Sequence, residues 1–160
     1  MKELVSVAEK ISSVLTARKQ TIVVAESSTG GLISAALLAV PGASAYFLGG
    51  AVVYTRQSRR VLIDIPDAAL DGMRPSTEAY ALMMARAARE RFACTWGLAE
   101  TGATGPTGNR YGDAAGHSCI AIAGLAEAST TIETGSGDRL ANMHAFTAQA
   151  LDLLLKTISR

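Results

Sequence analysis

Between Glu3 and Arg18 the apolar residues Val5, Val7, Ala8, Ile11, Val14 and Leu15 recur at helical spacing, and the pattern ends at Gln20. Thr21 to Ala25 is then short, largely β-branched and apolar on both sides, the pattern of a strand covered on both faces of a sheet. Helical spacing returns in GLISAALLAV, Gly31 to Val40, and Pro41 and Gly42 close it. Gly49 to Tyr54 reads as a second strand, and Thr55 is suited to cap a short helix through TRQSRRVLI. A longer helix follows Pro75, with Ser76 as its N-cap and TEAYALMMARAARERF as its body. Thr95 to Ala99, Ser118 to Ala123 and Ser129 to Thr134 read as further strands. Between the first two lies ETGATGPTGNRYGDAAG, a glycine-rich loop with neither period. Asp138 is placed to cap a last helix running through AFTAQALDLLLKTI.

Strands that alternate with helices predict an α/β layer architecture, a sheet sandwiched between helices. The last two strands have no helix between them, so they are expected to be antiparallel neighbours in a mixed sheet. No internal repeat, low-complexity tract or linker divides the chain, and residues 1–160 read as one domain.

Composition narrows the function. With 160 residues and 49% hydrophobic content the chain can bury a real core. Met83, Met84 and Trp96 are candidates for that core and not for a cofactor box. A net charge of +1 supplies no clustered positive excess for nucleic acid or an anionic membrane. The opening MKELVSVAEK is neither a secretory signal nor a spanning segment, so the protein is expected in the cytoplasm. Cys94 and Cys119 are too few for a disulfide framework and lack metal-ligand companions, which leaves them as buried thiols and implies no metal or cofactor.

In α/β sheets ligands collect beyond the carboxyl ends of the strands. Three loops are candidates on this reading. In Glu26-Ser27-Ser28-Thr29-Gly30-Gly31, hydroxyls and open backbone N–H groups meet a helix N-terminus, a seat for phosphate or carboxylate or else an ordinary cap. Thr101-Gly102-Ala103-Thr104-Gly105-Pro106 also follows an apolar strand, and its N–H groups could converge on the same anion. Pro41-Gly42-Ala43-Ser44-Ala45 presents Ser44 at the start of a helical segment, as a cap or as a nucleophile. A fourth element, Gly135 to Arg139, sets an Asp138 cap beside an Arg139 fork fit for an anion or for surface pairing. No G-K-[ST] and no G-x-G-x-x-G occurs, so neither a Walker loop nor a dinucleotide fingerprint is present.

Taken together and in order, ESSTGG, PGASAYFLGGAVVYT, TGATGP and GDR resemble the C-terminal domain of the competence- and damage-inducible CinA proteins, over nearly the whole chain. The resemblance implies a three-layer α/β/α sandwich with a mixed, mostly parallel sheet, and self-association into a homo-oligomer. It also implies metal-free hydrolysis of the carboxamide of nicotinamide mononucleotide, giving nicotinate mononucleotide and ammonia. In the mechanism it implies, Ser44 takes the position of the nucleophile, Ser27 that of a supporting serine and Tyr54 that of a strand-end tyrosine. Glu26, Thr29, Gly30, Gly31, Thr101, Gly102, Thr104, Gly105 and Arg139 are the corresponding candidates for binding the mononucleotide.

The position of the lysine base falls on Arg59. The only lysines are Lys2, Lys10, Lys19 and Lys156, so no neighbour can substitute, and shifting the alignment by one reaches only Arg60. A guanidinium stays protonated and has no lone pair to accept a proton. The family's lysine-proline-valine-glycine run before the following strand is likewise changed, to Asp113-Ala114-Ala115-Gly116. His117 has a suitable native pKa range for a replacement base, Glu26 is better read as organising Ser27, and His144 lies far from these loops. Two readings stand: an amidohydrolase on a pyridine mononucleotide, and a binding or regulatory module that keeps the pocket without turnover.

Overall fold

Residues 1–160 are described by a computed structural model. Helix α1 (Lys2–Ala17) leads into strand β1 (Ile22–Glu26), which is followed by α2 (Leu32–Leu38), β2 (Phe47–Val52) and α3 (Arg56–Ile63). Then come α4 (Glu78–Phe92), β3 (Trp96–Ala103), β4 (His117–Ala123), β5 (Ala128–Glu133) and α5 (Arg139–Ile158). The sheet order is β2-β1-β3-β4-β5, with β1 parallel to β2 and β3, and with β4 antiparallel to β3 and β5. Four strands therefore point one way and β4 alone runs against them. The link Gly124 to Glu127 is too short for a crossover, so β5 has to lie antiparallel to β4.

Alternation along β1 explains the layers. Ile22 and Val24 join the core formed with Leu4, Ile11 and Leu15 of α1, Ile33 and Leu37 of α2, and Leu151 and Leu154 of α5. Val23 and Ala25 face the opposite side, packing with Ile63 of α3 and Tyr80, Met84, Ala85 and Ala88 of α4. The result is the expected α/β/α sandwich with a mixed sheet. Met84 and Trp96 are buried, as read from the sequence, while Met83 is only partly buried.

Among the boundaries that differ from the sequence reading, three shape the surroundings of the carboxyl-end loops. The N-cap of α4 is Thr77, whose hydroxyl accepts the Tyr80 N–H at 3.2 Å, because Ser76 sits in the left-handed region at φ +57°. Strand β2 starts at Phe47 and stops at Val52, since its register runs from Ile22↔Phe47 to Glu26↔Val52; Tyr54 lies beyond it. Strand β3 extends through Ala103, because β4 pairs with it from Ala103↔His117 to Gly97↔Ala123. Thr101 and Gly102 are thus strand residues. At Gly102 a Cβ would come within 2.5 Å of the His117 carbonyl oxygen, so its glycine serves strand packing.

Candidate functional site

The ESSTGG loop is held from within. Glu26, fully buried, accepts the backbone N–H groups of Gly31 (2.9 Å), Ile33 (3.1 Å) and Ser34 (3.0 Å) and the hydroxyls of Thr29 (2.7 Å) and Ser34 (2.6 Å). Its carboxylate therefore occupies the anion seat at the start of α2. Glu100 of β3, equally buried, accepts the N–H groups of Ser27 (3.1 Å) and Thr29 (3.0 Å) and the hydroxyls of Ser28, Thr29 and Ser118. With these donors consumed, and the Gly30 N–H given to the Ser27 carbonyl at 3.2 Å, Glu26, Thr29, Gly30 and Gly31 form a structural hub, which matches the capping alternative of the sequence reading and not the anion seat.

The open space lies beside that hub, beyond the carboxyl ends of β1 and β2. A cleft of about 560 Å³ is lined by Ser27, Tyr54, Arg59, Thr101 and Gly102 from the sequence-derived set. Completing it are Thr55, Arg56, Pro75, Ser76, Tyr80, Asn109, Arg110 and Tyr111, with Val53 and Met84 behind. Three arginines and no acidic residue face this space, so its field favours an anion. Thr55 opens α3 with a capping box to Ser58, which fixes where Arg56 and Arg59 emerge.

Arg59 is buried, with 4% of its side chain exposed. Its Nη1 donates to the Tyr80 hydroxyl at 3.0 Å and its Nη2 to Asp67 Oδ1 at 2.6 Å, while its Nε has no partner. The far wall of the cleft is strutted by Asp113, which receives both terminal nitrogens of Arg74 (2.8 and 3.2 Å) and the Asn109 amide (2.8 Å). The Arg74 hydrogen bond is the main reason the Asp113 carboxyl lies below its ordinary pKa, with Asn109 and His117 adding to the effect. The altered DAAG run thus braces the loop carrying Arg110 and Tyr111.

His117 offers no free nitrogen. Its Nε2 lies 2.9 Å from the Ser76 carbonyl, which can only accept, and its Nδ1 contacts the Glu133 carboxylate. Burial pulls its pKa down, but Glu133, the Ser76 carbonyl and Asp113 outweigh that and raise it. The base role considered for it is corrected accordingly. Thr104, Gly105 and Arg139 also lie outside the cleft lining: Arg139 donates to the Gly105 carbonyl at 2.6 Å, and Asn142 on α5 to the Thr104 carbonyl at 2.8 Å. The Arg139 fork ties α5 to this loop.

Ser44 is exposed in the short turn Ala43–Ala45, which precedes β2. Since β2 is parallel to β1, α2 must carry the chain back to the amino ends of the strands, and Ser44 lies there. Six strand residues at about 3.3 Å each separate its end from the cleft, roughly 20 Å. The placement of this turn among the carboxyl-end loops is therefore corrected. One chain does not bring Ser44 together with Ser27, Tyr54 and Arg59.

Arg110 and Tyr111 were missed in the sequence, although aromatic and cationic residues interrupting a glycine-rich loop were a signal. Tyr80 gave none, since it sits at an apolar position of a helix. Both cysteines are buried, and burial raises both thiol pKa values. No helix is long and apolar enough to cross a membrane.

Comparison with known proteins agrees with this architecture. The chain is 34% identical over 149 residues to a CinA-like protein of Salinibacter ruber, covering 93% of this chain and 36% of the relative. It is 35% identical over 156 residues to a CinA-like protein of Chlorobaculum tepidum, covering 94% and 37%. The chain thus spans little more than a third of the length of these curated relatives. Among solved structures, a competence-damaged protein (CinA) superfamily protein from Escherichia coli superimposes with a TM-score of 0.88 at 26% identity, covering 96% of this chain and 89% of that one. A competence/damage inducible protein from Agrobacterium tumefaciens gives 0.89 at 26% identity, covering 98% and 96%. Residues 4–158 match the CinA C-terminal domain, and the chain belongs to that family.

Proposed function

We propose that this chain is a nicotinamide-nucleotide amidohydrolase-like protein that binds a pyridine mononucleotide in the arginine-lined cleft and is impaired in hydrolysing its carboxamide. The observation that carries the reading is Arg59, a buried cation on a cleft wall that bears three arginines and no carboxylate. The volume of about 560 Å³ suits a small ligand, and hydroxyls from Ser27, Tyr54, Thr55 and Thr101 surround it as ribose partners. Impairment follows from proton chemistry. A guanidinium has no lone pair to take a proton from serine, His117 has both nitrogens engaged, and no lysine lines the cleft.

The second reading is an active amidase assembled between copies. It is favoured by Ser27 and Tyr54, which line one cleft at the positions the family resemblance gives them. In that reading Ser44 of a second copy attacks the carboxamide carbon, because Ser44 of the same chain lies at the other end of the sheet.

Two measurements on the purified protein separate the readings: calorimetric titration with nicotinamide mononucleotide, and ammonia release from it. Binding without ammonia, and ammonia from Arg59→Lys, is the expected result. Turnover by the unaltered chain that is lost in Ser44→Ala establishes the second reading instead. Absence of binding at millimolar concentration rejects both.

A further inference from the structure

The three arginines of the cleft stand at two depths. Arg56 and Arg110 are exposed and make no ion pair, whereas Arg59 is buried. We propose that the cleft is built for a ligand with two separate anionic groups, and that it selects the acid form of the mononucleotide, nicotinate mononucleotide, over the amide. This inference rests on the mononucleotide reading above and goes further by assigning each charge a place: a phosphate against Arg56 and Arg110, a carboxylate against Arg59.

The state of Arg59 carries the argument. Of its five N–H donors, the structure pairs one with a tyrosine hydroxyl and one with Asp67, and its buried Nε has no acceptor. Its only counter-ion is poorly held, since the Asp67 side chain is 63% exposed and water competes for it. Arg59 also forms part of the wall between the main cleft and a smaller cavity of about 180 Å³, and Arg56, Pro75 and Tyr80 line both spaces. The guanidinium can therefore be approached from the cleft while Asp67 holds it from the other side.

Ligand choice follows from donor and acceptor counts. A carboxylate brings two acceptor oxygens and a full negative charge to a donor-only fork. A carboxamide brings one acceptor, and its NH₂ turns two further donors toward a group that accepts nothing. At a buried guanidinium this difference is weakly screened and favours the acid. The exposed pair suits the phosphate, a group that remains partly hydrated when bound.

The test is calorimetric titration of the full chain with nicotinate mononucleotide, nicotinamide mononucleotide and the two corresponding ribosides. The acid mononucleotide is expected to bind on the order of tenfold more tightly than the amide, as a charge-assisted contact predicts, and the acid riboside more weakly than its mononucleotide. Arg59→Gln is expected to abolish the preference between acid and amide. Asp67→Ala, a surface substitution that spares the fold, is expected to tighten the acid and leave the amide unchanged. Equal affinities, or a preference for the amide, overturn the placement of a carboxylate at Arg59 while leaving mononucleotide binding intact. An acid riboside that binds as tightly as its mononucleotide overturns the two-anion assignment. Failure of both mononucleotides to bind removes the underlying reading, and this inference with it.

Discussion

Glu26 and Glu100, both without solvent exposure, converge on one hydroxyl, that of Thr29, at 2.7 and 3.0 Å. Glu26 belongs to β1 and Glu100 to β3, and the parallel pairing of those strands sets the two side by side. Glu26 takes up the Gly31, Ile33 and Ser34 N–H groups at the start of α2, and Glu100 those of Ser27 and Thr29 in the loop before it. Thr29→Val removes a donor shared by two buried acceptors, so it is expected to lower stability by about 2–3 kcal/mol. Urea unfolding measures this; a loss below about 0.5 kcal/mol would show that the hydroxyl is dispensable.

Arg59 presents the opposite case, a buried charge whose removal should cost little stability. Its one counter-ion is largely solvated, and a methionine can fill the stem's volume without an orphaned donor. Arg59→Met is expected to change stability by no more than about 1 kcal/mol, while weakening any anion in the cleft at least about tenfold. Thermal unfolding and ligand titration on the same variant separate the two effects. A strongly destabilised variant would identify the Arg59–Asp67 contact as structural.

The strut from Asp113 to Arg74 and Asn109 holds the loop that carries Arg110 and Tyr111. Asp113→Ala frees that loop, and the expected outcome is faster amide hydrogen exchange over residues 107–113 with several-fold weaker anion binding and an unchanged core. Since the folded Asp113 carboxyl lies below its ordinary pKa, its contribution is complete above the ordinary aspartate range. It is lost as pH falls through the depressed folded value. Unchanged exchange in the variant would refute the bracing role.

His117 has the reverse sign. Its folded pKa is raised, so its contribution is complete below the ordinary histidine value of 6.5 and fades as pH rises through the folded value. Urea midpoints are expected to fall across that upper range in the unaltered chain. His117→Gln flattens this dependence, because glutamine cannot acquire the charge that faces Glu133 and Asp113. A slope that persists in the variant would assign the titration elsewhere.

Much of the layer architecture was legible because apolar runs and helical spacing report burial directly. Strand-end reasoning reached the loop that carries Ser27, whereas Tyr54 and Arg59 were singled out only by the family resemblance; all three line the cleft. What fills the start of α2 was not legible, because Glu100 reaches Ser27 across 73 residues and only the β1–β3 pairing brings them together. Gly102 lines the cleft but was read as a loop residue, because local sequence does not reveal that β4 passes directly beside it. The end of the sheet reached by Ser44 likewise depends on strand direction, which a motif does not encode.

That last point gives Ser44 a distinctive test. Arg59→Lys supplies the base that the unaltered cleft lacks, and its nucleophile then has to arrive from a second copy, because β2 separates Ser44 from the cleft within one chain. In this background, specific ammonia release is expected to rise with protein concentration. Neither Ser27→Ala nor Ser44→Ala should turn over alone. Mixing the two should restore activity, since one copy supplies an intact cleft and the other an intact Ser44. An Arg59→Lys protein whose specific activity is independent of concentration down to the monomer places the reacting serine within one chain, and Ser27, already on the cleft wall, becomes the nucleophile.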